Sequence, residues 1–245
     1  MTDRPIAYCG LAPTPSELAG AWNLDPVLLA GLAGLAWLIH RRASRPGLAW
    51  AGFVLAVVVF VSPLCNLTSA LFSARVFHHV ALSAAIAPLF VLGFGVGGRL
   101  GGRLAQHGPL AALFHAIAMW LFHAPAAYDW ALSSTAGYWL MQAAIGLSAL
   151  WLWAAIIHGP RGNAFAAAAI SFLQMGMLGA IIVFAANPLY AAHLLTTEAW
   201  GLSALSDQQI AGLIMWVPAA GPYMAAMLLA VRGLLDEPAE QGQTA

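Results

Sequence analysis

His78 and His79 stand side by side at the head of the apolar run SARVFHHVALSAAIAPL, and His123 closes another in LFHAP. Cys65 lies in SPLCN, Cys9 in YCGLAP, and Asp207 and Met215 in SDQQIAGLIMW. Imidazole, thiolate and thioether together suit a soft or borderline metal, above all copper as Cu(I), which accepts all three. Acidic residues number only nine, so a calcium or magnesium cage of carboxylates is not expected. Successive helical residues point about 100° apart. His78 and His79 therefore share one ion only if the helix start is distorted. The expectation is that one ring faces the protein interior and the other the interface.

Each of these residues also has a plain structural reading. An interfacial histidine in a membrane protein is ordinarily hydrogen-bonded or reaches toward water. Cys65 alone reads as a small buried hydrophobe, and Met215 as packing. Cys9 and Cys65 could equally form a disulfide in an oxidising compartment. No nucleophile or general acid–base constellation accompanies the set, so the chain is not read as an enzyme.

The elements that must hold these residues are membrane helices. The chain is 62% hydrophobic and 7% charged, where a soluble domain carries about a quarter charged residues. Its mean hydropathy is +0.81. Apolar runs near twenty residues mean a polytopic all-α membrane protein. Seven spans are expected, over residues 26–39, 48–64, 76–96, 110–123, 136–157, 164–186 and 208–231. The fourth is short, and a continuation past Pro125 toward Trp130, with a kink, is the alternative reading. Residues 1–24 read as an N-terminal tail, 25–232 as the seven-helix domain and 233–245 as a C-terminal tail. The first 24 residues lack the pattern of a cleaved signal peptide.

Orientation follows from the arginines, which are the only basic residues besides histidine. With seven spans, Arg41, Arg42, Arg45, Arg99, Arg103, Arg161 and Arg232 fall on one side, and Arg4 and Arg75 on the other. The positive-inside rule places the N-terminus outside and the C-terminus inside. Of the acids, Asp3, Glu17, Asp25, Asp129, Glu198 and Asp207 lie outside, and Asp236, Glu237 and Glu240 inside. Cys9, Cys65, His78, His79, His123 and His193 then converge on the outer side, with Met215 in the outer leaflet. That convergence, rather than any one residue, raises the metal reading. Net charge is zero, and nothing suggests a nucleic-acid partner.

Other features read as structural. Asp25-Pro26 is a helix N-cap followed by proline at the first helical position. Ser206-Asp207-Gln208-Gln209 has the form of a capping box, with Asp207 against its own helix start. Gly93, Gly95, Gly97, Gly98, Gly101 and Gly102 read as close packing and a flexible connection.

The segments SPLCNLTSALFSARVFHHVALSAAIAPL, LFHAPAAYDWAL, NPLY and LSDQQIAGLIMWVPA, with YCGLAPTP and WNLDP near the N-terminus, resemble the signature blocks of CtaG-like cytochrome c oxidase assembly factors. The His-x-Pro block with Tyr128 and Asp129, and the Asp-Gln-x-x-x-Gly-x-x-Met-Trp block, are the most specific. The blocks run from residue 8 to about 220. The resemblance implies a seven-span protein of the bacterial inner membrane that helps assemble haem–copper oxidase, at its copper-delivery stage. Its implied partners are oxidase subunits, periplasmic copper chaperones and membrane lipid. In the family pattern a histidine often stands four residues before the one matching His79. Here that residue is Arg75, which moves weight to His78. His79, His78 and His123 are the first candidate copper ligands, then Cys65 and Cys9, with Met215 and Asp207 in support. A metal-free assembly scaffold, a membrane haem protein and a metal transporter are the alternatives. A retinal protein is excluded, because the chain has no lysine.

Overall fold

The computed structural model describes residues 8–95 and 102–236. Among them every regular element is a helix. The expected residues Asp3, Arg4, Arg99, Gly97, Gly98, Gly101, Glu237 and Glu240 and the end of the third span lie outside the described residues.

Proline and its neighbours divide the chain. Helix α1 covers Pro26–Arg42, and the Asp25 carboxylate caps it by accepting from Val27 and Leu28. Helix α2 (Pro46–Phe60) breaks at Ser62-Pro63, where α3 (Pro63–Ala70) departs at 47°. Leu71 is extended, and α4 (Phe72–Ala81) begins after it. A π-helical turn, Leu82–Ile86, joins α4 to α5 (Ala87–Phe94) in one continuous rod, Phe72–Phe94. Helix α6 (Gly108–His123) ends where Ala124 turns extended ahead of Pro125, and α7 (Pro125–Leu132) leaves at 77°. A residue preceding proline is disfavoured in the helical region. The fourth expected span therefore turns sharply at Pro125 instead of running on. Helices α8 (Thr135–His158) and α9 (Arg161–Phe184) are uninterrupted, and α10 (Ala204–Trp216) and α11 (Ala220–Leu235) make a last long rod.

By length and apolarity four helices can cross a membrane: Phe72–Phe94, Thr135–His158, Arg161–Phe184 and Ala204–Leu235. Counting each bent pair as one span gives six. Helix α1 has 17 residues, fewer than the roughly 20 of an ordinary span.

Small residues let the helices approach closely, as they do in lipid. A Cβ on Gly93 would sit 2.6 Å from the backbone nitrogen of Ala49, so α5 packs directly on α2. A Cβ on Gly212 would sit 2.7 Å from the carbonyl of Gly179, which brings α10 against α9.

The bundle has two distinct ends. At one, the Ser44 hydroxyl and the Arg45 N–H donate to the Gly93 carbonyl, Asn163 donates to Gln106 at 2.7 Å, and the Arg161 guanidinium lies over Gly233. Arg41, Arg42, Arg45, Arg103, Arg161 and Arg232 belong to these connections and helix ends. At the other end, residues 8–24 are laid across the bundle. Asn23 donates to the Phe60 carbonyl, Asn66 to that of Ala21, and Trp200 to that of Pro13. Of the described arginines only Arg75 stands toward this second end.

Candidate functional site

The second end is organised around the start of α4. Its first N–H groups have no intrahelical acceptor, and Asp207 of α10 supplies one. The Asp207 carboxylate accepts from the N–H of Phe72 at 2.6 Å, from the N–H of Ser73 at 3.2 Å and from the Ser73 hydroxyl. The capping box expected at Ser206 is absent. Ser203 caps α10 instead, accepting from the Ser206 N–H. Asp207 serves a different helix from the one that carries it, and no sequence pattern local to α10 reports that.

With α4 held there, His79 lies seven residues inside it, about 10 Å along the axis at the helical rise of 1.5 Å per residue. His123 comes up to meet it at the end of α6. Its Nε2 faces Nδ1 of His79 at 3.5 Å, and the rings stand nearly perpendicular with centroids 5.2 Å apart. Both rings are buried. The other ring nitrogen of His123 lies 2.7 Å from the Met119 carbonyl. A carbonyl only accepts, so the His123 proton resides on Nδ1 and Nε2 presents its lone pair to His79. The Nε2 of His79 has no partner. Just beyond His79 the π-helical turn begins, and the Ser83 hydroxyl donates to the His79 carbonyl at 2.8 Å. Such turns often mark functional positions.

His78 does not face the interface as one of the two adjacent rings was expected to. It is fully buried, with its ring edge-to-face against Phe60 of α2 at 4.7 Å and neither nitrogen hydrogen-bonded. Its centroid is 6.0 Å from that of His79. The end of α2 covers it, through Phe60.

Cys9 and Cys65 are joined in a disulfide. In that state neither sulfur is a thiolate donor, which sets both apart from the imidazole pair. The bond pins residues 8–24 to α3. Met215 is fully buried in the principal apolar core. It stands eight residues into α10 from Asp207, about 12 Å by the same rise, hence near the depth of His79. Among the described residues no group of three or more histidine, cysteine, aspartate or glutamate side chains is gathered as a metal site. The imidazole pair is thus a two-donor arrangement. His115 is elsewhere occupied, 3.0 Å from the Ser148 hydroxyl.

Arg75, which stands where the family pattern often has a histidine, does not flank the membrane as an exposed charge. It is fully buried, with no close hydrogen bond on its guanidinium nitrogens, and the hydroxyls of Tyr128 and Tyr138 are its polar neighbours. The guanidinium carbon lies 5.3 Å from the centre of the Tyr138 ring, a cation–π contact. Tyr128, Tyr190 and His193, none of them among the candidate ligands, surround the pair. The Tyr128 hydroxyl and His193 Nε2 lie 2.7 Å apart, and the Tyr190 hydroxyl donates to the His123 carbonyl at 2.8 Å. Phe72 stacks on Tyr190 at 3.7 Å and meets His123 edge-on. His193 lies in the connection after α9. Burial pushes its imidazole down to about 3, with the Arg75 charge acting in the same direction. The block LFHAPAAYDWAL placed Tyr128 beside His123 in sequence, and NPLY carried Tyr190. Their roles depend on the connection folding back over α4.

No curated protein and no solved structure matches the chain. The segments that build this end, from Cys65 through Arg75, the two imidazoles and Tyr128 to Asp207, all fall within residues 32–237. Over that range the chain matches the family described as cytochrome c oxidase caa3 assembly factor (Caa3_CtaG), and it belongs to that family.

Proposed function

We propose that this protein assists assembly of haem–copper cytochrome c oxidase as a seven-span protein of the bacterial inner membrane, and that it holds Cu(I) between His79 and His123 on the periplasmic side. Family membership supports the assembly role. The facing nitrogens of two buried imidazoles from different helices, 3.5 Å apart, carry the copper reading. Imidazole–metal bonds of about 2 Å would set two opposed ligands about 4 Å apart, so a small ring displacement accommodates the ion. His123 already presents a lone pair. His79 would carry its proton on the unpartnered Nε2, freeing Nδ1. Met215 is the nearest candidate for a soft supporting donor by depth. Copper here is cargo, received from a periplasmic carrier and passed to an oxidase subunit. The role is binding and positioning, not catalysis.

The test is anaerobic Cu(I) loading of detergent-purified protein, followed by metal analysis and competition with a Cu(I) chelator. His79→Ala and His123→Ala should each weaken binding at least tenfold, which is about 1.4 kcal/mol. The double variant should be little worse than either, since ligands of one ion act together. His40→Ala, His107→Ala and His158→Ala should bind like the parent. Deleting the gene should leave oxidase protein present, copper-deficient and poorly active.

A second reading, a metal-free scaffold for oxidase subunits, is favoured by the disulfide between Cys9 and Cys65 and by the lack, among the described residues, of a third histidine, cysteine or carboxylate gathered with the pair. It takes over if the parent retains no copper and the histidine variants still restore oxidase in the deletion strain.

A further inference from the structure

A groove of about 620 Å³ opens at the arginine-bearing end, between α5, α8, α9 and α11. Its walls are apolar, with Leu92, Trp153 and Leu229 among them, and His158 and Arg161 stand at its polar rim. Leu229 is 65% exposed, so the groove opens sideways, where acyl chains lie around a membrane helix. The guanidinium of Arg161 is held against α11 at Gly233. Among the described residues the only ion pair is Arg232 with Asp236, so no described carboxylate neutralises Arg161. Arg161 is also the first residue of α9, whose N-terminus has no side-chain cap. The free N–H groups and the helix dipole there add to the attraction for an anion.

We propose that this groove is a binding site for an anionic phospholipid, with one acyl chain along Trp153 and Leu229 and the phosphate at Arg161 and the start of α9. A free phosphate would use the rim and leave the apolar walls unused. A zwitterionic lipid would fill the walls and gain little from the guanidinium. Grooves with a basic rim between membrane helices on the arginine-rich side suit anionic headgroups. The proposal is independent of the copper reading, since the groove lies at the opposite end from His79 and His123.

Trp153 supplies a reporter, because it lines the groove and its indole N–H is fixed on the Ser83 carbonyl at 2.7 Å. Full-length protein in mixed micelles is titrated with phosphatidylglycerol brominated in its acyl chains, and separately with brominated phosphatidylcholine. The signal lost in Trp153→Phe isolates the Trp153 component. The brominated anionic lipid should quench that component at a several-fold lower mole fraction than the zwitterionic one. Arg161→Gln should abolish the difference, and Arg161→Lys should keep part of it. Native mass spectrometry of parent and Arg161→Gln provides a second readout that needs no tryptophan variant. The parent should retain anionic lipid through detergent exchange and the variant should lose it. Equal quenching by the two lipids, or equal retention by parent and Arg161→Gln, overturns the proposal. So does release of the anionic lipid by millimolar inorganic phosphate, which would assign the rim to phosphate alone.

Discussion

The carboxylate of Asp207, in α10, receives the backbone N–H of Phe72, in α4, at 2.6 Å across 135 residues of sequence. A second N–H and a hydroxyl from Ser73 share the same group. This contact sets where α4 begins, and so the depth at which His79 meets His123. Replacing a capping side chain by alanine costs about 0.5–2 kcal/mol, and a buried charge-assisted contact belongs at the upper end. Asp207→Ala should lower the thermal midpoint clearly. Asp207→Asn, which keeps one acceptor oxygen, should fall between the two. If Asp207→Ala instead unfolds like the parent but loses copper, the carboxylate is a ligand and its capping role is minor.

The disulfide gives the second prediction. Cys9 and Cys65 enclose a separation of 56 residues, for which the chain-entropy model gives about 4 kcal/mol. The bond ties residues 8–24 over Tyr138 and α3, where Tyr8 stacks on Tyr138 at 4.7 Å. Protein from cells grown with ample copper should resist thiol labelling until it is reduced. Cys9→Ser should then melt well below the parent and expose the N-terminal segment to protease. Rapid labelling of both cysteines in the unreduced protein would show that they are thiols in the cell.

The helical class and the membrane character were legible in the sequence, because hydropathy acts locally; of the two breaks only that at Pro125 was, as a kink, while the expected span 48–64 ran through Pro63. The meeting of His79 and His123 was only partly within reach: short connections favour neighbouring consecutive helices, but α6 packs mainly on α8 and α9, and it is the two imidazoles that bridge α4 and α6. The roles of Asp207, Tyr190 and His193 were not. Each acts on a helix remote in sequence, and the signal that brings it there is the folding back of the connection after α9. The burial of Arg75 was hidden for a related reason. An arginine at a helix start usually flanks a membrane, whereas here Tyr138 of α8 and Tyr128 of α7, remote in sequence, stand against it.

Arg75 supports a third prediction. A guanidinium cannot lose its proton, and an uncompensated buried charge is strongly unfavourable. Arg75 lies against the Tyr138 ring, with the Tyr128 and Tyr138 hydroxyls as its neutral hydrogen-bonding neighbours. Methionine has similar length and can keep the apolar contact with that ring. Arg75→Met should therefore stabilise the fold, by about 1–4 kcal/mol on the scale of buried ion-pair replacements, and so raise the thermal midpoint. The same variant should restore oxidase poorly in a deletion strain, since a charge kept at a cost to stability is kept for a task. A lower midpoint in Arg75→Met would show that the folded protein satisfies the guanidinium well.

The last prediction concerns α1 and the number of spans. With 17 residues it is short, yet it runs the length of the bundle. Just before its start Asn23 is bonded to the carbonyls of Phe60 and Val61, at the end of α2. Just after its finish Ser44 and Arg45 are bonded to Gly93, at the end of α5. Those two places are opposite ends of the molecule, so a helix joining them crosses whatever the longer helices cross. At 1.5 Å per residue 17 residues give about 26 Å, enough for a slightly thinned hydrocarbon core. The prediction is that α1, counted with the four long rods and the two bent pairs, makes seven spans, and that the end carrying the six described arginines faces the cytoplasm, as the positive-inside rule expects. Single cysteines at Asn23 and Ser44, in a background where Cys9 and Cys65 are serine, should be labelled by an impermeant reagent only from opposite sides of the membrane. Reporter fusions after residues 103 and 161 should read cytoplasmic, and one after residue 198 periplasmic. Labelling of both cysteines from the same side would leave α1 on the surface and reduce the count to six. Reversed fusions would move the His79–His123 pair to the cytoplasmic side and end its role as a receiver of periplasmic copper.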